Sequence, residues 1–189
     1  MSPDHLWAGW RSEYVTSVPS AVDVGALPPD ATMQTQDHAE DHFVDDPKRC
    51  VFCRIEASGL PSADNGVLWR GERTFAVLNA YPYASGHLMV IPSRHVRSMA
   101  ELSDEEGIEL WSALRAGVAA LEAAYAPEGV NIGANLGRAA GAGIPRHLHL
   151  HAVPRWVGDT NFMTAVGDVR VLPETLAASW QRLHAAWAA

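Results

Sequence analysis

Nine histidines are spread along the chain, and three of them fall within five residues, at His147, His149 and His151. In an extended strand successive side chains point to opposite faces, so these three imidazoles share one face while Leu148, Leu150 and Ala152 share the other. Neutral imidazole predominates near pH 7 and can attack an electrophile through one ring nitrogen while the other is held by a carbonyl. Two other readings compete. H-x-H on a strand also begins many zinc sites, but catalytic ones usually add a nearby carboxylate. The first acid after the triad is Asp159, beyond the expected strand end. Incidental histidines on a solvated face would explain one such residue better than three in strict alternation.

The second chemical feature is Cys50-Val51-Phe52-Cys53, which contains both cysteines of the chain. A C-x-x-C pair outside a disulfide-rich secreted context points to metal binding or to a redox couple. The redox reading expects a thioredoxin-like βαβ setting, and none is visible around these residues.

Short segments bounded by Gly, Asn and Pro must position these groups. Val67–Trp69, Thr74–Leu78 and Gly86–Ile91 read as strands of an antiparallel meander. Ser103 followed by Asp104, Glu105 and Glu106 is a capping box. Ile108, Leu110, Trp111, Leu114, Val118 and Leu121 then recur at helical spacing, predicting one long helix over Ser103–Tyr125. Val130–Leu136 and His147–Val153 read as two further strands, joined by a loop with glycines at 137, 141 and 143. A last helix is expected over Pro173–Trp187, with Pro173 at its first position. The fold class is therefore α+β.

Ahead of this domain, residues 16–48 hold seven acids, one base and four prolines, the composition of a flexible acidic linker. Before the linker, residues 1–15 carry Trp7, Trp10 and Tyr14, enough apolar surface to suggest an arm that docks. The expected organisation is an N-terminal arm over 1–15, a linker over 16–48, and one domain with a C-terminal extension over 49–189.

With 189 residues, 48% of them hydrophobic and 19% charged, the composition is that of a soluble globular chain. The formal net charge of -8 disfavours the broad basic footprint of a nucleic-acid binder or of a protein held on an anionic membrane. No apolar run reaches the length of a membrane span, and no leader peptide is visible, so a cytoplasmic location is expected.

The run H-x-H-x-H followed by two apolar residues resembles the signature of the histidine triad (HIT) superfamily of nucleotide hydrolases and transferases. The resemblance continues through Asn79, Gly86-His87, Ile91-Pro92, Asn135-x-Gly137 and Ala140-Gly141 in order. Pro154-Arg155-Trp156-x-Gly158-Asp159-x-Asn161-Phe162 and Leu6-Trp7-x-x-Trp10-Arg11-x-x-Tyr14 are similar to the bacterial branch that holds diadenosine tetraphosphate phosphorylases and Fhit-like hydrolases. The resemblance implies a HIT-like fold, with a five-stranded antiparallel sheet that continues across a homodimer, a long helix and a C-terminal helix.

It also implies roles. His149 would be the nucleophile on the α-phosphorus of a nucleotide, with His151 beside it as a catalytic and phosphate-binding group. Asn79 would bond the ribose, and Asn135, Gly141 and Gly143 would line the phosphate side. Many family members bind structural zinc at the positions of Cys50, Cys53, His95 and His147, and two cysteines with two histidines suit a closed tetrahedral site. A uridylyltransferase activity fits less well, because that related branch typically has glutamine where His151 stands.

The stretch from Gly137 to Val157 contains no Ser, Thr, Gln or Asn. An amine leaving group needs protonation and a polyphosphate does not, so dinucleoside polyphosphates are the expected substrates. Without a hydroxyl to hold inorganic phosphate, water is the expected acceptor. Phosphorolysis of diadenosine tetraphosphate and a non-catalytic nucleotide-binding module are the alternatives.

Overall fold

The computed structural model describes residues 45–159 and 172–187. The described chain runs α1 (Val51–Glu56), β1 (Val67–Arg70), β2 (Thr74–Leu78), β3 (Leu88–Pro92), α2 (Asp104–Tyr125), β4 (Gly129–Gly133), β5 (Leu150–Arg155) and α3 (Leu176–Trp187), with one-turn 3₁₀ segments at Met99–Glu101 and Arg138–Ala140. The strands form one antiparallel sheet in the order β1-β2-β3-β5-β4. Strands β2 and β3 are buried at all ten positions, which requires cover on both faces of the sheet.

Strand alternation sorts the side chains between those two faces. Ala76, Leu78, Leu88 and Val90 join Leu148, Leu150 and Ala152 in a core beneath α2, with Leu110, Ala113, Leu114 and Leu121 opposite. Phe75, Val77, Met89 and Ile91 turn the other way and meet Cys50 and Phe52 at α1. Each fully buried Leu, Val or Phe contributes about 1.5–3 kcal/mol. Because Leu148, Leu150 and Ala152 are committed to the α2 side, the alternating histidines fall on the α1 side.

Helix α2 starts as its sequence predicts. Ser103 Oγ accepts the Glu106 amide, and the Glu106 carboxylate accepts the Ser103 amide, forming the reciprocal capping box. Helix α3 lies against α2 at Gly117, where an added Cβ would stand 3.0 Å from the Trp187 ring. Trp180 Nε1 donates to the Val67 carbonyl at 2.7 Å, and His184 Nδ1 donates to the Leu68 carbonyl at 2.9 Å, tying α3 to β1.

Several boundaries differ from the sequence expectations. The ladder of β5 begins at Leu150 and runs through Pro154 to Arg155, so His147, in a bend, and His149 precede the strand. Pro154 fits because β3 pairs with β5 only as far as Ala152, leaving a neighbour on the β4 side alone. Helix α3 starts at Leu176 and not at Pro173: the Thr175 hydroxyl accepts the Ala178 amide at 3.2 Å and sets the start. The six-residue α1 has too few turns to show a period in sequence. Asp45–Lys48, assigned by composition to the linker, lead into the domain through a turn over Asp46–Arg49 in which Arg49 N donates to Asp46 O. The rest of that linker and the N-terminal arm lie outside the described residues, as do Asn161 and Phe162. No described helix is long and apolar enough to cross a membrane.

Candidate active site and metal centre

The lead-in to β5 is held by Leu148 N, which donates to the Val96 carbonyl at 2.6 Å. This places His149 and His151 side by side, their ring centroids 5.0 Å apart. Phe52 of α1 wedges against both His147 and His149, with centroid distances of 5.6 and 5.0 Å. His149 is 5% exposed. Its Nδ1–H donates to the carbonyl of His147 at 2.8 Å, so the Nε2 lone pair is the ring's reactive end. Burial lowers its pKa and keeps the ring neutral, although the bond to the carbonyl works in the opposite direction.

The tautomer of His151 is set from further away. The Tyr83 amide donates to His87 Nδ1 at 3.1 Å, and Asn79 Nδ2 lies 3.4 Å from the same nitrogen, so His87 Nδ1 is an acceptor and its proton sits on Nε2. That Nε2–H faces His151 Nδ1 at 3.0 Å. His151 therefore carries its own proton on Nε2 and can donate it to an anion. Burial, with the neighbouring His149 second, lowers the His151 pKa to about 4, so the ring stays neutral. In the sequence His87 stands within the Gly86-His87 pair with no role of its own. Its only signal there is a histidine entering an apolar strand, where a fully buried imidazole needs partners on both nitrogens.

The remaining expected site residues are placed unevenly. Asn79 ends β2 beside His87, and its Oδ1 accepts the Tyr81 amide at 2.9 Å, so it shapes the turn as well as facing the histidines. Asn135 is half-buried in the loop after β4. Gly141, at φ +86°, closes the Arg138–Ala140 turn, and its amide donates to the Arg138 carbonyl at 2.9 Å. That amide is spent inside the loop, whereas Gly143 two residues on is exposed, between a buried Ala142 and a part-buried Ile144. Arg155 is held by both carboxylate oxygens of Asp159 and by Asn131, which commits its guanidinium to structure.

Cys50, Cys53, His95 and His147 meet at the back of the triad, their ligand atoms within 4.8 Å of one another. His147 Nδ1 lies 3.3 Å from Cys50 Sγ and 3.6 Å from Cys53 Sγ, and His95 Nδ1 lies 3.3 Å from Cys53 Sγ. A tetrahedral zinc with usual bond lengths separates S and N ligands by about 3.5 Å, so the four residues fit a metal ion. His147 Nε2 donates to the Pro92 carbonyl at 2.8 Å, which turns Nδ1 towards the sulfurs. Burial first, and the adjacent Cys50 second, push the Cys53 thiol up to about 12 in the metal-free protein. Burial lowers the His147 pKa to about 4, leaving a neutral ring suited to a metal.

A buried His149 beside a part-buried His151, each with Nδ1 held by a neighbour, on a five-stranded antiparallel sheet defines a histidine-triad site. The HIT domain profile matches residues 61–157, and the chain belongs to this family as one of its enzymes. An AP-4-A phosphorylase of Mycobacterium tuberculosis is 41% identical over 133 residues, covering 70% of this chain and 68% of that protein. An adenosine 5'-monophosphoramidase of Schizosaccharomyces pombe is 31% identical over 106 residues, covering 56% and 74%. Among solved structures, a zinc-bound histidine triad family protein from Mycobacterium smegmatis superposes with a TM-score of 0.61 at 28% identity, covering 76% of this chain and 96% of its own.

Proposed function

We propose that this enzyme cleaves dinucleoside polyphosphates at an α-phosphorus, through a nucleotide carried covalently on His149. The observation that carries this reading is that His149 Nδ1 is held by the His147 carbonyl and His151 Nδ1 by His87, leaving both Nε2 atoms free to act on a substrate. The Nε2 lone pair of His149 attacks phosphorus, a P–N bond forms, and the P–O bond to the departing polyphosphate breaks. The His151 Nε2–H beside it donates to a phosphoryl oxygen and offsets the charge gathered there. In the second half, an acceptor oxygen displaces the imidazole and restores neutral His149. Asn79, Asn135 and Gly143 are proposed as the ribose and phosphate contacts. Gly141 serves as the turn that presents the loop.

Inorganic phosphate is the acceptor best supported by the relatives, given the 41% identity to an AP-4-A phosphorylase. Water is the second reading. It rests on the lack of a hydroxyl between Gly137 and Val157 and on the commitment of Arg155 to Asp159. A product assay with diadenosine tetraphosphate tests both. Adenosine di- and triphosphate formed only when phosphate is present supports phosphorolysis. Adenosine monophosphate formed regardless of phosphate supports hydrolysis, and no turnover under either condition removes the enzymatic reading of this substrate.

Structural zinc in the Cys50, Cys53, His95 and His147 cluster completes the proposal. With all four positions filled by protein, the ion supplies rigidity and no open site for chemistry. It fixes His147, whose carbonyl orients His149. The thiols fit a reducing compartment such as the cytoplasm. A homodimer joined at β4 is proposed as well, because among the described residues β4 is a sheet edge with Ile132 about half exposed. Residues 1–15 are proposed as a docking arm, and the part of 16–48 that precedes Asp45 as its linker to the domain.

A further inference from the structure

The two histidines of the metal cluster are built alike, and the likeness identifies one more residue. Each directs Nδ1 at sulfur and must place an Nε2–H elsewhere. For His147 the acceptor is the Pro92 carbonyl at 2.8 Å. For His95 it is the carboxylate of Asp45, with Oδ1 3.3 Å from Nε2. A histidine that binds metal through one nitrogen generally donates from the other, and a carboxylate there fixes the ring and makes the ligand nitrogen more basic.

We propose that Asp45 is a positioning residue of the metal site, holding His95 in its ligating orientation. This rests on the reading of the cluster as a zinc site. Asp45 also approaches Arg97 at 3.8 Å, but Arg97 has a closer partner in Glu101 at 2.8 Å, so the His95 contact is the nearer of the two made by Asp45. The turn over Asp46–Arg49 joins Asp45 to Cys50, the first cysteine of the cluster. One short segment therefore supplies both a sulfur ligand and the carboxylate behind a nitrogen ligand, five residues apart in sequence.

The test is zinc affinity by competition with a chromogenic chelator, on the full chain and on Asp45→Ala, Asp45→Glu and Arg97→Ala. Circular dichroism of each zinc-loaded protein confirms a common fold. The expected result is that Asp45→Ala weakens zinc binding by about 10- to 100-fold. Asp45→Glu should recover part of the loss, and Arg97→Ala should stay close to wild type. Asp45→Ala within about threefold of wild type overturns the proposal, as does an equal loss in Arg97→Ala, which would assign the effect to the surface ion pairs. Failure of the wild-type chain to bind zinc overturns the metal reading and this proposal together, and is distinguished by the wild-type titration alone.

Discussion

The backbone carbonyl of His147 accepts the Nδ1–H of His149 at 2.8 Å, while the ring of the same His147 turns its Nδ1 towards Cys50 at 3.3 Å. One residue thus belongs to the metal cluster through its side chain and to the triad through its backbone. Rigidity imposed on the ring reaches the neighbouring imidazole through one short hydrogen bond and two peptide units.

His149→Ala should lower turnover of a dinucleoside polyphosphate by at least about a thousandfold, because it removes the imidazole on which the proposed covalent nucleotide forms. Nucleotide binding should persist, since its contacts lie elsewhere in the site. Equilibrium binding and single-turnover kinetics measure the two effects separately. Activity within tenfold of wild type would show that His149 is not the nucleophile.

Loss of His87 should act on His151 without removing it. His87→Leu takes away the donor to His151 Nδ1 and allows the ring to place its proton there, so kcat should fall by about ten- to a hundredfold with KM within a few-fold. His87→Gln keeps an N–H donor and should recover part of the rate. Equal losses in the two variants would point to a packing role alone.

Metal uptake should release protons. The Cys53 thiol, held up at about 12 by burial and Cys50, binds zinc as thiolate, so the metal displaces its proton and apparent affinity should rise from pH 6 to pH 8. Wild-type protein should contain one zinc per chain, lost with several degrees of thermal stability in Cys50→Ser or Cys53→Ser. Elemental analysis and chelator competition give the stoichiometry and the slope. Affinity that is flat with pH would exclude thiolate ligation.

The capping box predicts an acid-sensitive element away from the site. Glu106 accepts Arg94 Nε and Nη2 at 2.8 and 2.7 Å, and this pairing lowers its carboxyl from an ordinary 4.5 to about 2. A carboxyl with a depressed folded pKa contributes stability that is full above about 4.5 and is lost as pH falls towards 2. The stability difference between wild type and Glu106→Gln should therefore be largest near neutrality and shrink through that window. Denaturant titrations on metal-stripped proteins measure it, and a constant difference from pH 6 to pH 2.5 would contradict the assignment.

Much of this arrangement is local and was legible in sequence. Strand alternation alone put His147, His149 and His151 opposite Leu148, Leu150 and Ala152. The Ser103 to Glu106 spacing gave the start of α2, and apolar periodicity gave its length, because both signals repeat within a few residues. The long pairing of Cys50 and Cys53 with His95 and His147 followed only from family resemblance, since spacing over such distances carries no geometry of its own. Other features required the folded chain. Six residues cannot display a helical period, so α1 and the wedge of Phe52 between two histidines were invisible. The start of β5 at Leu150 depends on where β3 stops. The proton on His151 is assigned by His87, 64 positions away in sequence, and the orientation of His95 by Asp45, 50 positions away. Sequence determined which side chains face together, because that depends on backbone periodicity. Tertiary structure decided which nitrogen of each imidazole is held, because that depends on partners brought in from distant segments.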